Sequence, residues 1–108
     1  MSLADQTEDT FTVAADAQSG FIEISTNGPE SVTVFIDDGA GGAPADLTVI
    51  AERYSNGFDR WMEYGRSSLT SNSNPQSVTD EAVPDKMRYS VVNNSGAEAD
   101  FRLSGVSY

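Results

Sequence analysis

The sequence predicts an all-β protein: a single antiparallel β-sandwich, jelly-roll or immunoglobulin-like, of seven to nine short strands. Three observations predict it. Apolar and polar residues alternate with a period of two through most of the chain. Clusters of Gly, Pro, Asn, Asp and Ser break these runs every ~8–20 residues, the spacing of a sandwich or barrel. No segment of helical length holds a 3.6-residue period. The length of 108 residues suits one domain and one core.

Taken in order, MSLADQTED is polar and acidic and predicts a flexible N-terminal arm over 1–9, with the sandwich over 10–108. TFTVAA places Phe11, Val13 and Ala15 on one side. GFIEIST sets Ile22 and Ile24 against Glu23 and Ser25. ESVTVFID aligns Val32, Val34 and Ile36. DLTVIAERY aligns Leu47, Val49 and Ala51 and leaves Ile50 and Tyr54 on the other face. Its Ala, Leu and Glu are good helix formers, but Thr48, Val49 and Ile50 are consecutive β-branched residues and favour a strand. FDRWMEY alternates less cleanly. Phe58, Arg60, Met62 and Tyr64 share one side, Asp59, Trp61 and Glu63 the other. QSVTDEAV is weak and reads as an edge strand. KMRYSVVN sets Met87, Tyr89 and Val91 together, and ADFRLSGVSY does the same with Phe101 and Leu103. Asn93-Asn94-Ser95-Gly96 between these two predicts a hairpin.

Seventeen acidic residues face six basic ones, a formal charge of −11. Such a surface repels phosphate and anionic lipid, so neither nucleic acid nor membrane is an expected partner. Five of the six cations are arginine, with Lys86 alone as lysine. Scarce lysine with abundant Ala, Ser, Thr and Asp resembles proteins of halophilic archaea. No apolar run approaches the ~18 residues of a membrane span. The N-terminal stretch lacks the basic start and apolar run of a signal peptide, which predicts a protein that starts in the cytoplasm and is not exported by a standard route.

The chain has no cysteine and no histidine. It therefore lacks the usual thiolate nucleophile, the commonest general base and the commonest transition-metal ligand. Carboxylate pairs such as Asp59 with Glu63 or Asp80 with Glu81 arise by chance in so acidic a chain. Serine has no activating partner beyond Lys86, and no Gly-x-Ser-x-Gly elbow is present. The expectation is a non-enzymatic protein.

Two stretches invite a site. Asp37-Asp38-Gly39-Ala40-Gly41-Gly42 joins two carboxylates to a glycine cluster. It lacks the Gly-Lys-Ser/Thr ending of a phosphate loop and the ligand spacing of an EF-hand. It reads as a turn whose glycines supply φ > 0. No cofactor or metal is expected, the one alternative being a structural calcium ion near Asp37, Asp38 and Asp46. The second stretch, SNGFDRWMEYGR, carries the single tryptophan. Trp61 or Tyr64 could plug the core, the aromatics could stack on sugar rings, or a partner subunit could cover the outer face.

With ESVTVFID, DLTVIAERY, FDRWMEYG and KMRYSVVNNSGAEADFRL in view, the chain resembles the small β-sandwich decoration and turret proteins of tailed-virus capsids, here of a halophilic archaeal host. The resemblance is one of style over most of the chain, with no motif carried over by position. It implies a virion structural protein that binds the major capsid protein or other virion proteins and stabilises the lattice, often as a trimer. Its expected interface residues are Phe35, Ile50, Tyr54, Phe58, Trp61 and Tyr64. The alternatives are a glycan-binding module of a spike or tail and a head-completion or tail protein.

Overall fold

A computed structural model describes residues 5–25, 30–70, 76–83 and 86–107. These contain eight strands and no helix: β1 (Asp5–Val13), β2 (Ile22–Ser25), β3 (Glu30–Asp37), β4 (Leu47–Ser55), β5 (Arg60–Leu69), β6 (Gln76–Val83), β7 (Lys86–Asn93) and β8 (Ala99–Ser107). They form two antiparallel sheets of four strands. Sheet A runs β1-β8-β3-β6 and sheet B runs β2-β7-β4-β5. The pairs β1–β8, β2–β7, β3–β6 and β4–β5 nest within one another, like a ribbon folded at the β4–β5 turn and then wound into two layers. That order is a jelly roll. It decides between the two topologies that the strand pattern left open.

The period of two sends one side of β2, β3, β4, β7 and β8 inward. Val32, Val34 and Ile36 of β3 meet Leu47, Val49 and Ala51 of β4 across the sandwich, in a core closed by β2, β7 and β8. Its largest plugs are Tyr89 and Phe101, not Trp61 or Tyr64. Burying a tyrosine requires a partner for its hydroxyl. Tyr89 donates to Asp80 Oδ2 at 2.8 Å. Burial, and then the Asp80 carboxylate, raises the Tyr89 pKa far above its ordinary value. Gly105 marks a close approach of the sheets: a Cβ there would lie 2.3 Å from Ile24 Cδ1.

Two expectations are corrected. The flexible arm over 1–9 is not one piece, because β1 begins at Asp5 and pairs residues 5–9 with Ser107 to Leu103 of β8. Main-chain pairing needs no apolar side chain, and an edge strand tolerates polar ones. Residues 1–4 lie outside the described residues. The predicted hairpin at Asn93 is instead a crossing between sheets, since β7 belongs to sheet B and β8 to sheet A. The buried Asn93 side chain builds that crossing. Its Nδ2 donates to the carbonyls of Val13 (2.9 Å) and Ala97 (2.7 Å). Its Oδ1 accepts from the amide (2.9 Å) and hydroxyl (2.7 Å) of Ser95. The weak edge strand is β6, and β5 runs on through the polar Gly65–Leu69, which showed no alternation to read.

Candidate functional site: the hairpin tip and the two outer faces

The glycine loop closes on itself. Gly39 N donates to Asp37 Oδ1 (2.8 Å), and Ala40 N and Gly42 N donate to Asp38 Oδ1 (2.8 and 3.0 Å). These amide bonds hold the Asp38 carboxyl below its ordinary pKa. Gly39 and Gly41 sit at φ of 89° and 87°, the left-handed region that favours glycine. Asp37 is also paired with Arg102, whose Nε lies 3.0 Å from Oδ1 and whose Nη2 reaches Oδ2. The loop is a turn tied by its own carboxylates. Asp37 already has a guanidinium as counter-ion, which works against the calcium alternative. Among the described residues, no group of three acidic side chains is placed to hold a metal ion.

The β4–β5 hairpin is built differently. Its register runs Ala51↔Gly65, Glu52↔Glu63 and Tyr54↔Trp61, which leaves Tyr64 as an extra residue in a bulge. Asp59 takes φ 55° in the turn, a conformation its short polar side chain tolerates. Below the turn lies a shallow cleft of about 400 Å³ lined by Arg53, Ser55, Phe58, Met62, Glu63 and Tyr64. Phe58 is 67% exposed and Tyr64 41%. The Arg60 guanidinium lies 5.5 Å from the Phe58 ring centre. β5 is an edge strand, and its solvent-facing pattern leaves these side chains uncovered.

The outer face of sheet B carries a ladder of rings and cations. Arg88 stands between Phe21 (3.9 Å) and Trp61 (4.7 Å), and its Nε donates to Glu52 at 2.6 Å. Lys86 stands 5.0 Å from the Tyr54 ring and 5.8 Å from Trp61. Tyr54 and Trp61 meet edge to face at 5.5 Å. The Tyr54 hydroxyl donates to Asp59, which raises the Tyr54 pKa. Such cation–π contacts hold the half-buried Trp61 in place and occupy its ring.

The outer face of sheet A is acidic. Phe35 stands on it 45% exposed, beside a recess of about 290 Å³ formed with Glu8, Ile36, Asp37, Arg102 and Ser104. By strand the two sheets divide the charge, though not all of it lies on the outer faces: Asp80 turns inward to Tyr89, Arg53 lines the hairpin cleft, and Arg66 and Arg88 are paired with Glu63 and Glu52. Strands of sheet B carry Arg53, Arg60, Arg66, Lys86 and Arg88 against Glu23, Glu52 and Glu63. Strands of sheet A carry Asp5, Glu8, Asp9, Glu30, Asp37, Asp80, Glu81 and Asp100 against Arg102 alone.

The six expected interface residues thus fall in four places. Phe35 lies on sheet A. Tyr54 and Trp61 lie on the outer face of sheet B. Phe58 and Tyr64 line the hairpin cleft. Ile50 is only 5% exposed, flanked in register by Ser90 and Arg66, so it is covered within the monomer and is no free contact residue. Sequence reasoning missed Phe21, Lys86 and Arg88. Lys86 and Arg88 flank the core residue Met87 and so point outward, but only the β7–β4 pairing places them beside Trp61. The carboxylate pairs do not converge. Asp80 turns inward to Tyr89, Asp59 accepts from Tyr54, and Arg66 holds Glu63 at 3.0 Å.

No family of known sequences matches the chain. No curated protein matches it either. Solved structures do match its fold. The Yersinia pseudotuberculosis-derived mitogen superposes with a TM-score of 0.60 at 20% identity, over 94% of this chain and 84% of that one. The pre-peptidase C-terminal domain of a Bacillus anthracis collagenase gives 0.61 at 12% identity, over 93% and 88%. CBM28, a carbohydrate-binding module specific for non-crystalline cellulose, gives 0.58 at 7% identity, over 90% and 69%. The chain is a β-sandwich of the kind these domains share, and at such identities the likeness is one of fold.

Proposed function

We propose that this protein is a non-enzymatic structural module of a virus particle that docks on neighbouring protein subunits at the capsid surface. The observation that carries the reading is the hairpin tip, where Phe58 of the turn and Met62 and Tyr64 of the edge strand β5 stand exposed beside Arg53 and Arg60. Aromatic residues, Met and Arg are the types enriched where proteins meet. The acidic remainder keeps an assembled particle soluble. The test uses particles purified on a density gradient from infected cells, probed with an antibody to this chain. The protein is expected in the particle band. A Phe58→Asp/Tyr64→Asp variant is expected to fold and yet be missing from that band. Absence of the unaltered protein from particles overturns the reading.

A second reading has its own observation. The same cleft offers two exposed aromatic rings with Arg53 and Glu63 at its rim, a combination that can stack on a sugar and hydrogen-bond its hydroxyls. Titration calorimetry with soluble oligosaccharides tests it: binding lost in Phe58→Ala supports a glycan site, and no heat with any sugar removes it. Trp61 is not its platform, because Lys86 and Arg88 already stand against that ring.

A further inference from the structure

We infer that the hairpin cleft takes an extended acidic segment of the partner protein, laid along the free edge of β5. The inference rests on the docking reading above and names the partner's chemistry. Arg53 lines the cleft, and Arg60 stands at the Phe58 ring on its rim. Among the described residues, neither guanidinium is in an ion pair. The nearby carboxylates are already engaged. Both oxygens of Glu63 lie 3.0 Å from Arg66 Nε, and Asp59 accepts from the Tyr54 hydroxyl. A protein that covers Phe58 and Tyr64 also removes Arg53 and Arg60 from water. A charge taken out of water must be paired. With Glu63 held by Arg66, the partner has to supply the counter-ions.

The sheet edges point to the same occupant. An extended segment binds by adding a strand to an exposed edge, where main-chain hydrogen bonds give affinity and alternate side chains give specificity. The sandwich has four edge strands, β1 and β6 in sheet A and β2 and β5 in sheet B. β1 carries Asp5, Glu8 and Asp9, and β6 carries Asp80 and Glu81, with no cation on either. β2 is four residues long, and its one charge is Glu23. β5 is the longest of the four at ten residues and carries Arg60 and Arg66 against Glu63. In a chain of net charge −11, an acidic strand is repelled from three edges and accepted at this one. Every second side chain of such a strand faces the cleft. There carboxylates meet Arg53 and Arg60, and an apolar residue packs between Phe58, Met62 and Tyr64.

The test is a display library of random peptides selected on the immobilised full chain. The selected peptides are expected to carry Asp or Glu at every second position around an apolar residue. The strongest of them, resynthesised with Asn and Gln in place of its acids, should bind at least about tenfold more weakly in fluorescence anisotropy. Arg53→Gln/Arg60→Gln in the protein should cause the same loss. Both sites are exposed, and thermal unfolding checks that the variant is folded. Lys86→Gln removes a cation from the outer face of sheet B and should bind as the unaltered chain does. Hydrogen exchange along Arg60–Leu69 should slow when the acidic peptide is bound. A selection without acidic preference overturns the inference. So does equal binding by the amide peptide, undiminished binding by the arginine variant, weakened binding by Lys86→Gln, or unslowed exchange in β5. A uronic-acid oligosaccharide that binds while no peptide does overturns it as well. The docking reading fails separately, through absence of the protein from particles.

Discussion

The glycine loop between β3 and β4 and the turn between β4 and β5 stand at opposite ends of the same strand, and they treat their polar groups in opposite ways. In the glycine loop Asp37 and Asp38 accept from the amides of Gly39, Ala40 and Gly42, and Arg102 neutralises Asp37. Nearby, Asn93 satisfies four groups at the crossing between the sheets. At the hairpin the aromatic and cationic side chains face outward, and Phe58 has most of its surface in water. The first end fixes the fold and the second presents a surface. Conspicuous acidic residues therefore mark structure here, and function is sought where apolar groups remain uncovered.

The largest effect should come from breaking the closed end. Asn93→Ala strands the buried Val13 carbonyl and removes the bonds to Ser95 and Ala97, and is expected to destabilise the protein by about 3 kcal/mol, read as a lower urea midpoint at an unchanged slope. A shift as small as a surface mutant's would show that the crossing does not depend on this side chain. Trp61→Ala comes next. Its ring is half-buried among Arg88, Lys86 and Tyr54, so a loss of ~1–2 kcal/mol is expected, below the ~3–5 kcal/mol of a core aromatic. The full core value would place Trp61 with the framework rather than the surface.

Alkaline titration sharpens the comparison further. Tyr89 is raised by burial first and by Asp80 second. A folded pKa above the unfolded value favours folding below about pH 10, and the contribution is lost as pH climbs beyond that. Absorbance at 295 nm should show a final tyrosine ionisation, that of Tyr89, arriving together with unfolding. Tyr89→Phe should remove that final step. The acid side has the opposite sign. The Asp38 pKa is lowered by the amides of Ala40 and Gly42, so its contribution is present above the ordinary carboxylate range and is lost as pH falls through the lowered value. Hydrogen-exchange protection of these two amides should drop in that window, and Asp38→Asn should flatten the change. The smallest effect belongs to the open end. Phe58→Ala should alter stability by no more than about 0.5 kcal/mol, measured in the same urea series. A larger loss would mean that the hairpin tip is part of the core.

Much of the fold could be read directly because the information is local. Alternation in ESVTVFID and KMRYSVVN is a property of neighbouring residues, and it named Val32, Val34, Ile36, Met87, Tyr89 and Val91 as inward-facing. The strand over Gly65–Leu69 was illegible, since an uncovered edge strand selects no apolar period. The candidate site was only partly legible. Phe58, Met62 and Tyr64 share a side by parity and do line one cleft. Ile50 misled, because two flanking strands cover an outward residue that parity counts as exposed.

By itself, then, the sequence determined an all-β sandwich, its inward residues, the turn of its glycine loop and its acidic charge, all set by spacing along the chain or by composition. Tertiary structure alone decided the jelly-roll order, the placing of Phe35 opposite Trp61, the gathering of Lys86 and Arg88 around that ring, and the division of charge between two sheets. Each of those depends on which strands pair. Pairing is fixed by contacts between residues far apart in the chain, and their spacing in the sequence carries no record of it.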